Sequence, residues 1–270
     1  MEKQKSIGIF DSGIGGLSIA RAIKHILPEE NLVYFADVAF SPYGNKSREL
    51  INQRSADIAN FLVNQNCKLV VMACNTATVN SINNLRSKLS IPIVGVEPAI
   101  KPAALQTKTG VIGVLATQQT LISESFLVLK ANYSHKVKIA TKACPEFVSL
   151  VESLDLNSER AKEITKQYIG PLISQGCDQI VLGCTHFSFL KTIIKEAAGS
   201  EVCILDTATP VALEVQRRLQ SLDLNKPESA DGKVKFWTSG DVTKTTKSIS
   251  ELWQQNVDVA EVNSLTSLPK

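Results

Sequence analysis

Gln65-Asn66-Cys67-Lys68-Leu69-Val70-Val71-Met72-Ala73-Cys74 returns later in the chain as Gln175-Gly176-Cys177-Asp178-Gln179-Ile180-Val181-Leu182-Gly183-Cys184. The offset is 110 residues throughout, from Gln65 to Gln175. The glutamine, both cysteines and one valine are identical, and most other positions are similar. A second, looser echo pairs Ser6-Ile7-Gly8-Ile9-Phe10-Asp11-Ser12 with Val111-Ile112-Gly113-Val114-Leu115-Ala116-Thr117. Each segment is a short apolar run that closes on small polar residues, the pattern of a buried strand running into a helix. A repeat at this period implies two related halves, each placing one cysteine at the end of a strand.

Geometry restricts what those cysteines do. Residues 67 and 74 flank one strand, and seven steps of about 3.3 Å hold them roughly 23 Å apart. A disulfide needs Cα atoms within about 7 Å, and zinc ligands must converge to about 2.3 Å from one ion. Neither fits within one C-x6-C unit, so Cys67 and Cys177 read as small core residues at strand starts. Cys74 and Cys184 stand at strand ends. If the halves face each other, these two thiols confront one small molecule from opposite sides. A helix beginning beside each thiol is expected to lower its pKa through the dipole. Asn75-Thr76 and Thr185 add cap-type donors, free N–H groups there suit a carboxylate, and His186 can exchange a proton with Cys184. Two such groups invert a carbon acid: one removes a proton from one face and the other returns a proton to the opposite face.

Around the repeats, apolar runs alternate with amphipathic stretches. Strands are expected near Ser6–Phe10, Leu32–Ala36, Leu69–Ala73, Ile93–Val96, Val111–Leu115, Gln179–Leu182, Val202–Leu205 and Val234–Trp237. Helices are expected near Gly16–Ile26, Ser47–Asn64, Thr76–Ser87, Gln119–Leu129, Ser158–Ser174, Phe187–Ala197 and Pro210–Gln220. This alternation predicts an α/β fold of two pseudo-symmetric lobes, each a largely parallel sheet flanked by helices. The site is then expected in the cleft between them, at the carboxyl ends of the strands. Prolines 92, 98 and 102, and Pro210 after Asp206-Thr207-Ala208-Thr209, mark crossings between lobes. Leu222–Gly232 reads as a polar loop, and the last dozen residues carry little pattern.

Composition narrows the class. The chain is 44% hydrophobic, and 29 Lys+Arg against 26 Asp+Glu leave a net charge of +3. That balance does not announce a nucleic acid or an anionic membrane as partner. No apolar run approaches the roughly 18 residues of a membrane span. Asp11 interrupts the first apolar segment, so a signal peptide is not expected. The reading is a cytoplasmic protein whose six cysteines are reduced.

The motifs Gly8-Ile9-Phe10-Asp11-Ser12-Gly13-Ile14-Gly15-Gly16-Leu17, Pro42-Tyr43-Gly44, Ala73-Cys74-Asn75-Thr76-Ala77, Cys144-Pro145-Glu146-Phe147-Val148 and Leu182-Gly183-Cys184-Thr185-His186-Phe187 together resemble glutamate racemase, of the cofactor-independent aspartate/glutamate racemase superfamily. The resemblance runs in order from about Ile7 to about Asp241. It implies interconversion of L- and D-glutamate without pyridoxal phosphate or metal, supplying D-glutamate for peptidoglycan. It implies Cys74 and Cys184 as the catalytic acid/bases, assisted by Asp11 and His186, with Glu152 as a supporting acid. Asp11-Ser12, Tyr43-Gly44, Asn75-Thr76, Thr185-His186, Thr117 and Thr120 are implied to bind substrate. Lobes of 1–98 plus 209–270 and of 99–208 follow from the same resemblance, as does a homodimer. Two positions depart from the family pattern. Phe40 replaces an arginine before Pro-Tyr-Gly, which removes any ion pair it would make. Ser188 stands where proline is usual.

Other readings compete. Gly13-x-Gly15 after a strand, with Asp37 ending the next strand, suggests a dinucleotide site. Ser18, however, stands where the fingerprint wants Gly or Ala, and Asp11 would repel a pyrophosphate. The bland reading of these glycines is a tight strand-to-helix turn. Racemisation of aspartate is open, since cleft shape rather than the thiol pair sets substrate length. A two-lobed binding module would need no paired thiols. Cys144 and Cys203 are expected to pack, His25 and His135 to lie at the surface, and Trp237 and Trp253 to be core or interface aromatics. Asp206 either orients the cleft or caps the following helix.

Overall fold

A computed structural model of the chain describes residues 2–227 and 231–262. Its strands, in chain order, are β1 (Ser6–Asp11), β2 (Leu32–Ala36), β3 (Cys67–Met72), β4 (Ile93–Gly95), β5 (Val111–Ala116), β6 (Lys138–Ala143), β7 (Gln179–Gly183), β8 (Cys203–Leu205), β9 (Val234–Thr238) and β10 (Val259–Glu261). The helices are α1 (Leu17–Ile26), α2 (Arg48–Asn64), α3 (Asn75–Lys88), α4 (Ile100–Gln106), α5 (Gln118–Ile122), α6 (Glu124–Ala131), α7 (Pro145–Glu152), α8 (Glu159–Ile173), α9 (Lys191–Ala198), α10 (Ala208–Ser221) and α11 (Val242–Trp253). Two sheets result, of order β10-β9-β2-β1-β3-β4 and β6-β5-β7-β8. Every strand pair is parallel, so the expected α/β class with two parallel sheets is the observed one.

The sequence repeat survives as register. β1 pairs β3 with Gly8 opposite Val70, and β5 pairs β7 with Gly113 opposite Ile180. Each glycine makes room for the first cysteine of its repeat. A Cβ on Gly8 would lie 3.0 Å from Cys67 Sγ, and one on Gly113 would lie 3.5 Å from Cys177 Sγ and 3.0 Å from Leu172. Cys67 and Cys177 are therefore buried packing residues, as their position at strand starts implied.

Helix starts follow cap chemistry. Ser47, Ser158 and Asp241 accept hydrogen bonds from Leu50, Ala161 and Lys244 N–H. Ser123 does the same for Phe126 and has extended backbone, so the single helix expected over Gln119–Leu129 is split into α5 and α6. One apolar cluster runs without a break from Ile9, Leu17 and Val71 to Leu115, Leu182 and Phe187, joining the two sheets. Two smaller clusters line the α2–α3 side and the α4–α6 side.

Among the described residues, no helix is long and apolar enough to cross a membrane. All six cysteines are free. Cys203, expected to pack, is exposed instead, because β8 is an edge strand. His25 and His135 are exposed as expected. Trp237 and Trp253 are half-buried, edge-on against Phe61 and Phe236. Asp206 caps: its carboxylate accepts from Ala208 N–H at 3.2 Å and pairs with Lys191 at 2.6 Å. Part of the expected Leu222–Gly232 loop, residues 228–230, lies outside the described residues, as do residues 263–270 of the tail.

Candidate active site

Parallel strands deliver their carboxyl ends to one rim. At that rim β1 ends in Asp11, β3 leads into Cys74, β5 into Thr117 and β7 into Cys184. Cys74 is the N-cap of α3, and its Sγ accepts from Ala77 N–H at 3.4 Å while its thiol donates to Ser12 Oγ at 3.6 Å. Cys184 precedes a six-residue 3-10 turn, Thr185–Leu190, rather than an α-helix. Its thiol lies 3.8 Å from His186 Nδ1.

The thiol environment differs from the helix-dipole expectation. Burial pushes Cys74 up to about 12, reinforced by the negative charges of Asp11 and Cys184 and only partly opposed by the Ala77 and Ser12 hydrogen bonds. Removal from water outweighs a fractional dipole charge. Without substrate, Cys74 therefore holds its proton at neutral pH.

Behind Cys184 stands a relay of two groups. His186 Nε2 is 2.7 Å from Glu152 Oε1, and the same oxygen accepts from Ile14 N–H at 3.1 Å. Burial disfavours the imidazolium, yet the hydrogen bonds and charges of Cys184 and Glu152 outweigh it and raise the His186 pKa well above its ordinary value. Glu152, which the resemblance names as a supporting acid although an acid on an amphipathic helix is usually just solvated, is hydrogen-bonded to His186 beside Cys184. Asp11 is fully buried; burial raises its pKa against the pull of His186 and of the Gly13 N–H. Its carboxylate accepts from Gly13 N–H at 2.9 Å and from Thr185 Oγ1 at 3.1 Å.

The glycine loop has a reason that the tight-turn reading missed. Gly13, Gly15 and Gly16 all lie outside the left-handed region. A Cβ on Gly13 would strike Glu152 Oε1, and one on Gly15 would strike the His186 ring. The loop is bare because the His186–Glu152 pair lies against it. The space a dinucleotide phosphate would need is filled.

Three hydroxyls bridge the sheets. Thr76 Oγ1 lies 2.9 Å from Thr117 Oγ1 and 3.3 Å from Thr120 Oγ1, with Thr117 and Thr120 3.0 Å apart. Beside them Asn75 is almost wholly buried, and neither its Oδ1 nor its Nδ2 has a hydrogen-bond partner. A buried amide of this kind is costly unless something completes it. Gly44 sits opposite Thr117, its missing Cβ only 3.1 Å from that residue's Cβ. The Tyr43 phenol is engaged elsewhere, donating to Asp37 Oδ2 at 2.6 Å, so Tyr43 offers the site its backbone alone.

Arg54 is a residue the sequence reading passed over. Its guanidinium pairs with Asp37 Oδ1 at 2.6 Å and lies 3.9 Å over the Phe40 ring. The signal was present: Arg54 falls on the buried stripe of α2 with Ile51, Ser55 and Ile58, and a charge there needs a partner. The substitution of phenylalanine at position 40 therefore leaves a cation in place, supplied from α2. It also occupies Asp37, the acid a dinucleotide ribose would require. Ser188, the second departure, is a half-buried member of the 3-10 turn after Cys184.

The chain and its fold have counterparts. A family model described as Asp/Glu/Hydantoin racemase matches residues 17–214. A glutamate racemase from Herpetosiphon aurantiacus is 46% identical over 239 residues, 88% of this chain and 94% of that protein. The crystal structure of glutamate racemase isoform RacE1 from Bacillus anthracis superposes with a TM-score of 0.89 at 31% identity, covering 97% and 98% of the two chains. Glutamate racemase from Francisella tularensis, crystallised with D-glutamate, superposes with a TM-score of 0.86 at 27% identity over 98% of this chain and all of that one. With its repeated parallel sheets, its two strand-end thiols and these relatives, the chain belongs to the Asp/Glu/Hydantoin racemase family and is an amino-acid racemase of the glutamate racemase group.

Proposed function

We propose that the protein interconverts L- and D-glutamate by moving protons at Cα between two thiols, Cys74 on one face and Cys184 on the other. The observation that carries this reading is the pair itself: equivalent positions of two repeats, one per sheet, with both sulfurs buried at one rim. The substrate is taken from the relatives, which are named for glutamate, one of them crystallised with D-glutamate.

In one direction Cys184 takes the α-proton, while Cys74, protonated because of its burial, gives its own proton to the opposite face. His186 stabilises the charge on Cys184, and Glu152 holds the imidazole in place. That turnover leaves Cys74 as the thiolate and Cys184 protonated, the state from which the other direction starts, Cys74 taking the α-proton and Cys184 giving its own. The α-ammonium of a bound amino acid, beside Cys74 and Asp11, supplies the compensating positive charge. The carbanion character that develops at Cα is supported by the preorganised donors Asn75 and Ser12, while the backbone of Tyr43-Gly44 and the Thr76, Thr117 and Thr120 hydroxyls hold the substrate carboxylate. Thr185 keeps Asp11 in register. The chain's own side chains perform every step, and no cofactor is invoked.

The lobes are taken as 1–98 plus 209–270 and 99–208, acting as a homodimer in the cytoplasm, with D-glutamate passing to peptidoglycan synthesis. The test is incubation of the purified chain with L-glutamate in D2O, with no cofactor added. Loss of optical rotation accompanied by α-deuteration of the D-product is expected. Rotation that stays constant for glutamate but decays for aspartate reassigns the substrate, and no decay for either amino acid overturns the reading.

A further inference from the structure

The buried pair Asp37–Arg54 lies outside the proton-transfer groups, yet it touches the Tyr43-Gly44 segment that lies against Thr117. The Asp37 side chain is inaccessible to water. Its Oδ2 accepts from Tyr43 Oη at 2.6 Å and Arg54 Nε at 3.0 Å. Its Oδ1 accepts from Arg54 Nη2 at 2.6 Å and Ser239 Oγ at 2.7 Å. One carboxylate thus gathers α2, the end of β2, the loop after β9 and the Pro42-Tyr43-Gly44 turn. Its backbone N–H also reaches the Asp11 carbonyl, at 3.0 Å.

Tyr43 is the link to the site. Its ring is buried in the same apolar cluster as Cys74. One residue on, Gly44 lies against Thr117 of the other sheet. With the phenol pinned, the 3-10 turn at Tyr43–Asn45 has one place to sit, with Gly44 against the Thr117 side chain, whose hydroxyl joins those of Thr76 and Thr120. The bidentate, stacked guanidinium is a geometry that lysine does not reproduce.

We propose that Arg54 and Asp37 are positioning residues for the acidic substrate: acting through the Tyr43 phenol, they fix the Tyr43-Gly44 backbone over the hydroxyl cluster and so set substrate affinity rather than the rate of proton transfer. This rests on the racemase reading above. It predicts an effect on KM with kcat preserved, because the pair reaches neither thiol.

The test compares Tyr43→Phe, Arg54→Lys and the double variant with Lys68→Met. The last breaks a fully buried ion pair, Lys68–Glu30 (2.6 Å), at the amino ends of the strands, away from the site. Racemisation of L- and D-glutamate and melting temperature are read for each. Tyr43→Phe and Arg54→Lys are each expected to raise KM roughly three- to tenfold, as for one or two lost positioning hydrogen bonds, with kcat within about twofold. Because both act through one contact, the double variant should be no worse than the weaker single. Lys68→Met should lower the melting temperature and leave KM unchanged. An unchanged KM in Tyr43→Phe, a loss confined to kcat, effects that multiply in the double variant, or a KM rise in Lys68→Met each overturns the proposal while leaving the racemase reading intact. A wild-type chain that racemises neither enantiomer removes both.

Discussion

Thr185 donates its hydroxyl to Asp11 Oδ1 at 3.1 Å, tying the residue after one thiol to the strand end beside the other. Ser18 Oγ reaches the Thr185 carbonyl at 3.3 Å and Ile14 N–H reaches Glu152 at 3.1 Å. The two sheets are thus stitched by the groups that surround the chemistry, and the geometry of catalysis and the apposition of the halves are one problem.

Replacing either thiol by alanine should abolish racemisation, with a loss of at least about a hundredfold, while far-UV circular dichroism and melting stay near wild type. The informative measurement is directional. With a substrate bearing a leaving group at Cβ, elimination needs one base only, so Cys74→Ser and Cys184→Ser should each be impaired for opposite enantiomers. Equal impairment of both enantiomers in both variants would remove the two-faced mechanism.

His186→Asn and Glu152→Gln should differ in kind. The first removes the partner of Cys184 and should lower kcat more than it changes KM. The second leaves an imidazole without its carboxylate, so the His186 pKa should fall toward its ordinary value, measurable by NMR titration of the ring. The sign for stability follows. A raised imidazole pKa contributes stability that is fully present below about pH 6.5 and is lost as pH rises through the folded-state value. Wild type should therefore exceed Glu152→Gln in melting temperature most clearly on the acidic side, and a gap that widens with pH contradicts the assignment.

Gly15→Ala tests the bare loop. Its backbone is acceptable to alanine, but the added methyl meets the His186 ring. Displacement of the ring by about 1 Å should cost on the order of a hundredfold in turnover. Activity close to wild type would mean that the His186–Glu152 pair is free to move away.

Alkaline pH should destabilise the fold early. Burial holds Cys67 and Cys74 near 12 and Cys177 near 11, against an ordinary 9.0. Between these limits the unfolded chain releases protons that the native chain keeps. Stability then falls as pH rises from about 9, by up to about 1.4 kcal/mol per pH unit for each such thiol. Denaturant melts at pH 8 and pH 10 measure it. Alkylation mapped by mass spectrometry should likewise mark exposed Cys203 well before Cys74, and glutamate should protect Cys74 further.

Much of this molecule is written in its repeats. Strands buried on both faces, such as Leu69–Met72 and Gln179–Gly183, are continuous apolar runs and read directly. The edge strands do not. Lys138-Ile139-Ala140-Thr141-Lys142-Ala143 is interrupted by two lysines and a threonine, and Val259–Glu261 is three residues long, so neither shows a strand pattern. The helices α4, α7 and α11 were also unread, because Pro102 and Pro145 and the threonine-rich start of α11 mask their periodicity. The thiols and their polar neighbours were legible as a duplicated motif. The electrostatics were not, since the Cys74 proton is held by desolvation and by an acid distant in sequence. The contacts of Gly13 with Glu152 and of Gly15 with His186 span 139 and 171 residues and leave no local trace.

The order of strands in the larger sheet has a consequence for biosynthesis. The four-stranded sheet has all its strands once residue 205 has left the ribosome. The six-stranded sheet waits for β9 and β10, and Asp37 waits for Ser239. A nascent chain halted anywhere between residues 210 and 233 would carry both thiols yet expose the outer flank of β2, an invitation to pair with a neighbouring chain.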